Sequence, residues 1–217
     1  MNDAMRGLID EINTNKNALW VFCGDSITHG ALHTEGRRDY VELVAERVRF
    51  EMGRKMNLFV NTGISGDSTR GILATLEHRA LRFQPDFFSL MIGMNDCACM
   101  PEMEFSENLD RIIEGVRAGS KAHVLLQTCC AIDPALNPNR AKYPAFMEVV
   151  RRKAEQHKTA LIDHHAMWEE TRLKEPKLWA SWMSDVIHPG GLGHWIFAER
   201  ILTELGLGPL EHTKRPA

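Results

Sequence analysis

No apolar run in the chain approaches the roughly 18 residues that a membrane span needs, so bilayer insertion is not expected. No basic run stands out, and the formal net charge is −3. Nucleic-acid binding rests on concentrated positive charge, so no nucleic-acid partner is expected. Residues 1–16 are polar and mixed in charge, without an apolar core followed by a small-residue cleavage site. No signal peptide is expected there. Cysteine is sparse and odd in number: Cys23, Cys97, Cys99, Cys129 and Cys130. Without a regular framework these read as reduced thiols, which points to a cytoplasmic protein. Cys97-Ala98-Cys99 has no second Cys or His pair at metal-ligand spacing, so no metal is expected. There is no Gly-x-Gly-x-x-Gly, no P-loop and no internal repeat. No nucleotide cofactor is expected on that account.

What is present is an ordinary globular composition, 44% hydrophobic and 25% charged, over 217 residues. That suffices for one substantial domain without disulfide staples. No linker divides the chain, so 1–217 reads as one domain. Residues 1–16 read as a polar N-terminal extension and 208–217 as a loose tail.

Short apolar runs at 18–23, 58–60, 87–92, 123–127 and 160–162 read as buried strands. Helical periodicity fills the gaps. Asp39 to Gly53 places Val41, Val44, Ala45, Val48 and Met52 on one face. Ser68 looks like an N-cap, with Pro85 as the stop. Ser106 looks like the cap of the next helix, and Pro144 suits the first turn of another. The loop 131–143 is long for a strand–helix connection and reads as a lid or a substrate wall. Residues 165–186 are mixed, with one short helix, and the last helix spans about 191–205. Strands alternating with helices argue an α/β domain with a parallel sheet and helices on both faces.

Four short motifs fall at predicted strand ends or before the last helix. They are Gly24-Asp25-Ser26, Gly63-Ile64-Ser65-Gly66-Asp67, Gly93-Met94-Asn95-Asp96 and Asp185-Val186-Ile187-His188. A parallel sheet gathers such positions at its carboxyl edge, where ligands bind. Acyl transfer needs a nucleophile, a base, an orienting acid and oxyanion donors. Ser26 can be the nucleophile and His188 the base. Asp185 can hold the other imidazole nitrogen. The N–H groups of Ser26 and Gly66 and the Asn95 side-chain amide can face the oxyanion. Blander readings exist for each motif alone: a turn, an Asx cap, a solvated loop. Asp25 and Asp96 read as loop braces. Ser65 is a rival nucleophile, in a near miss to Gly-x-Ser-x-Gly. His29 and His33 could line the site or lie on the surface. His194 reads as a helix-surface or packing residue, and Trp179, Trp182 and Met183 as core or pocket wall.

The ordered set Gly-Asp-Ser, Ser-Gly-Asp, Gly-x-Asn-Asp and Asp-x-x-His resembles the four sequence blocks of the SGNH (GDSL-type) hydrolases. The resemblance implies a flavodoxin-like three-layer αβα sandwich with strand order 2-1-3-4-5. It implies a metal-free esterase or acylhydrolase in which Ser26, Gly66, Asn95 and His188 are the residues that name the family, and Asp185 is the triad acid. The first block reads Gly-Asp-Ser-Ile rather than Gly-Asp-Ser-Leu. The expected function is hydrolysis of a small-molecule ester with a short acyl chain, such as O-acetyl on a carbohydrate or small metabolite. An acyltransferase on the same site and a non-catalytic flavodoxin-like binding module are the alternatives. No oligomeric state follows from the sequence.

Overall fold

The apolar runs become strands because none of them alternates with polar residues; both faces must therefore be covered. In the computed structural model, which describes residues 3–14 and 17–216, they are β1 (Leu19–Gly24), β2 (Leu58–Asn61), β3 (Phe87–Met91), β4 (His123–Gln127) and β5 (Ala160–Ile162). All pair in parallel, in the order β2-β1-β3-β4-β5. The order is the one implied by the resemblance. β3 is buried throughout, while β2 is an edge strand with exposed ends. Trp20 on β1 anchors the centre, its ring 5.3 Å from Phe59 and 4.3 Å from Phe87, with its N–H given to Asn57 Oδ1.

The helices are α1 (Asp3–Thr14), α2 (Ser26–His29), α3 (Tyr40–Glu46), α4 (Thr69–Ala74), α5 (Leu76–Arg79), α6 (Asp96–Cys99), α7 (Glu102–Gly119), α8 (Tyr143–Gln156), α9 (His164–Lys174), α10 (Pro176–Trp182) and α11 (Gly191–Glu204). α3 packs on α11, while α4 packs on α7 and α7 on α8. These two groups flank the sheet.

Several expectations are corrected. Residues 3–14 are a helix whose Met5, Leu8 and Ile12 are buried, so this segment contributes to the core. The helix expected from Asp39 to Gly53 is present: Asp39 and Glu42 close a reciprocal capping box, and its last turn widens over Arg47–Glu51 before Gly53. The helix expected from Ser68 to Pro85 breaks at Thr75, whose hydroxyl donates to the Gly71 carbonyl at 2.6 Å and competes with the helix ladder. Ser68 precedes α4 but makes no side-chain cap. α7 begins four residues before Ser106, after Pro101, because Phe105 joins the core and Glu102 and Glu104 suit a helix start. Residues 164–182 form two helices, parted at Glu175–Pro176. The tail after Gly208 is tied down: Glu51 accepts the N–H groups of Glu211 and His212, and Leu210 is buried.

Candidate active site

The strand order reverses between β1 and β3, and the motifs of these two strands open side by side there. β1 delivers Gly24, paired with Met91. A Cβ at Gly24 would lie 2.4 Å from the Met91 carbonyl oxygen and 2.2 Å from Thr28 Oγ1, so only glycine lets the chain turn here. Asp25 then caps α2, its carboxylate accepting the Ile27 N–H at 3.0 Å. Burial pushes the Asp25 carboxyl up to about 7. Ser26 is the first residue of α2, where an N–H has no intrahelical acceptor.

The second motif is folded against the first by a residue outside every motif. Arg79 is buried, donates to the carbonyls of Gly24 at 2.8 Å and Thr62 at 2.7 Å, and pairs with Asp67. This clamp holds the turn that carries Gly66, whose φ of +81° is a left-handed conformation suited to glycine. The third motif joins through Asn95, whose amide donates to the Asp67 carbonyl at 2.9 Å. Asp96 accepts both the N–H and the hydroxyl of Thr69, at 2.8 and 2.6 Å. Burial raises its carboxyl, against those two bonds. Asp25 and Asp96 are thus loop braces, as expected.

The fourth motif closes the site. Asp185 Oδ1 accepts the N–H groups of Ile187 and His188, each at 2.7 Å, which folds the turn. Its Oδ2 lies 2.8 Å from His188 Nδ1, and His188 Nε2 lies 2.9 Å from Ser26 Oγ. Partial burial would raise the Asp185 carboxyl, but the two N–H bonds, the imidazole bond and its charge outweigh it and hold it low. With the proton on His188 Nδ1, Nε2 accepts from the serine hydroxyl. The arrangement can draw a proton from Ser26 and steady the imidazolium that results.

The structure therefore brings Ser26, His188 and Asp185 into one hydrogen-bonded line. It sets Gly66 and Asn95 on the two loops that meet at Asp67. Ser65 does not join that line; its hydroxyl pairs with His29 Nδ1 at 3.0 Å on the surface. His194 is buried and accepts the Tyr40 N–H, with burial the main cause of its lowered pKa of about 3. Trp179 and Trp182 are core residues. The 131–143 loop is pinned at two points: Asn137 donates to the Val186 carbonyl at 2.9 Å, and Arg140 to the Met94 carbonyl at 3.1 Å. These bonds tie the loop to the Asp185–His188 turn on one side and to the third motif on the other. Arg79, Arg140 and Asn137 carry no local signal that would single them out.

His33, Asp185 and His188 are the group among the described residues whose ligand atoms converge within 4.8 Å. The two imidazoles are stacked face to face, however, 3.5 Å apart with planes 7° from parallel. Nitrogen lone pairs lie in the ring planes, so two stacked rings do not aim at one ion about 2 Å from each. The arrangement suits hydrogen bonding rather than metal coordination.

A family model described as GDSL-like lipase/acylhydrolase matches residues 22–196, which include all four motifs. An acetylxylan esterase of Geobacillus stearothermophilus is 27% identical over 205 residues, 86% of this chain and 93% of its own. Its crystal structure superposes with a TM-score of 0.76 at 24% identity, over 90% of this chain and 97% of that one. An α/β hydrolase from the metagenome of Lake Arreo, Spain, superposes with a TM-score of 0.74 at 25% identity, covering 88% and 95%. Further structures of the acetylxylan esterase replace a serine, a histidine and an aspartate, and are named catalytic mutants. Among the described residues, no helix is long and apolar enough to cross a membrane.

Proposed function

Because the chain belongs to the GDSL-like lipase/acylhydrolase family and is an ester-cleaving serine hydrolase, we propose that Ser26, His188 and Asp185 are its catalytic triad. The observation that carries this is the continuous line from Ser26 Oγ through His188 to Asp185, at 2.9 and 2.8 Å. In the acetylxylan esterase, the aspartate and histidine of the catalytic mutants stand three positions apart, as Asp185 and His188 do.

In this mechanism Ser26 Oγ attacks the ester carbonyl carbon while His188 Nε2 takes its proton. The carbonyl oxygen becomes an oxyanion, met by the N–H groups of Ser26 and Gly66 and by Asn95 Nδ2. The intermediate collapses, the C–O bond to the alcohol breaks, and His188 returns the proton to the departing oxygen. Water, deprotonated by His188, then attacks the acyl-enzyme, and the acid leaves as Ser26 regains its proton. Asp185 holds Nδ1–H throughout and stabilises the transient imidazolium.

The substrate in this proposal carries a short acyl chain, with acetyl on a carbohydrate or small metabolite the preferred case. The name of the acetylxylan-cleaving relative supports that class. The five cysteines are all unpaired, which supports a reducing, cytoplasmic setting. The test compares initial rates on 4-nitrophenyl acetate, its butyryl and octanoyl homologues and an acetylated xylo-oligosaccharide. Acetyl should be cleaved fastest, and Ser26→Ala should lose activity about a thousandfold or more. Activity retained in Ser26→Ala would overturn the triad; a preference for octanoyl would overturn the substrate class.

A further inference from the structure

One residue that faces the triad belongs to none of the four motifs. His33 lies flat on His188, ring centroids 3.5 Å apart and planes 7° from parallel. Its Nδ1 is 3.3 Å from Asp185 Oδ2, the same oxygen that holds His188. The side chain is 24% exposed, so most of the ring is covered.

The backbone under His33 is unusual. Leu32 and Glu35, on either side of it, both have positive φ, +67° and +55°. Such conformations cost side-chain-bearing residues energy and persist only where the surroundings impose them. The loop closes on itself through the His33 N–H to the Ala31 carbonyl at 2.8 Å and the Glu35 N–H to the Leu32 carbonyl at 3.0 Å. Thr34, in the middle, is buried. A strained, self-bonded loop thus presses one imidazole onto another.

We propose that His33 is a positioning residue of the active site: its neutral ring is the platform that fixes the plane of His188 and cushions the imidazolium formed during acyl transfer. The inference rests on the triad proposed above. A cation over the face of a neutral ring is stabilised. The His188 turn is on the surface and needs such a support, since the ring could otherwise swing about its side-chain bonds and lose Ser26. Misplacement of a reacting group by about 1 Å can cost a hundredfold in rate.

The same stack makes the site sensitive to acid. His33 faces Asp185 and His188 from the turn before α11 and acts on His194 from α11 itself; Glu35 and Arg37 share its own loop. Burial, and then His188, hold its pKa below the ordinary imidazole value, against the pull of Asp185. His33 is therefore neutral at pH 7 and gains a proton only in more acid solution. Once protonated, it sets a like charge against the developing imidazolium and competes with it for Asp185 Oδ2. Protonation of His33 therefore works against turnover.

The experiment measures kcat and KM for 4-nitrophenyl acetate from about pH 4.5 to 8, a window that spans imidazole titration. It compares the native protein, Ser26→Ala, His33→Ala and His33→Phe. His33→Ala should lower kcat about tenfold with KM within about twofold, since a stacking partner and a contact to a charged group are lost. His33→Phe keeps a flat ring without a titrating group. It should recover most of kcat, and the acid limb of its log rate profile should fall less steeply than that of the native protein. A native kcat and native acid limb in His33→Ala would overturn the inference. So would a rise in KM alone, which marks a substrate contact. If His33→Ala does not fold, the slope in His33→Phe decides: an unchanged slope overturns the inference. If Ser26→Ala stays active, the triad itself falls and this inference with it. If Ser26→Ala is dead while both His33 variants behave as native, only the inference on His33 fails.

Discussion

The two halves of the proposed triad are built in opposite ways. The nucleophile half is internal. Asp25, Ser26 and Arg79 are 2%, 7% and 2% exposed, and their contacts run to β1, β2 and the Asp67 turn. The base half is external. The Asp185 side chain is 43% exposed, and the turn is held chiefly by bonds from Asp185 to its own neighbours. One half is positioned by the folding of the whole sheet edge; the other is a local turn laid over it. Changes in the first should damage folding and activity together, and changes in the second should damage activity alone.

The sharpest test of that contrast is Asp185→Asn. An amide there can still accept the N–H groups of Ile187 and His188 but cannot stabilise an imidazolium or fix its tautomer. A fall in kcat of about a thousandfold is expected, with an unchanged urea midpoint. On the internal side, Arg79→Met strands the partly buried Asp67 carboxylate and two carbonyls. Loss of about 3 kcal/mol of stability is expected, read as a lower urea midpoint, with activity falling in step. Asn95→Ala removes one oxyanion donor and one loop tie, and kcat should fall about a hundredfold. A native midpoint together with a native kcat in Asn95→Ala would break the contrast on the internal side.

On the internal side, the contrast also depends on pH, through Asp25. Burial raises its carboxyl to about 7 in the folded protein, whereas an unfolded aspartate titrates near about 3.9. Between those values the native state binds the extra proton, so this group's contribution to stability declines as pH rises through the window. Asp25→Asn can keep the cap to Ile27 and removes the titration. The stability of this variant relative to native should therefore be greater at pH 8 than at pH 4, by up to about 4 kcal/mol. An equal difference at both pH values would contradict the assignment of the proton to Asp25.

The sheet was legible because its strands are short, mainly apolar runs without period-two alternation. The candidate triad was legible because each member sits in a short motif whose residue types suit one chemistry. Helix ends were less so. Ser106 has the right residue type for a cap, yet α7 starts earlier because buried Phe105 adds a turn. Ser68 likewise stands at a helix start without bonding it. What escaped altogether were Arg79, Arg140 and the stacking of His33, since each acts across a long span of chain. Arg79 reaches a carbonyl 55 positions away. No periodicity records a contact of that kind; it exists only once the strands have been placed side by side.

The two ties on the 131–143 segment bear on the rhythm of turnover. Asn137 grips the carbonyl of Val186 and Arg140 that of Met94, so the segment is anchored on both banks of the site. Nothing anchored in this way needs to swing aside between one ester and the next. Arrival and departure of the ester are then expected to be limited by diffusion alone. Thickening the solvent should leave kcat unchanged and slow only the capture of the most reactive esters.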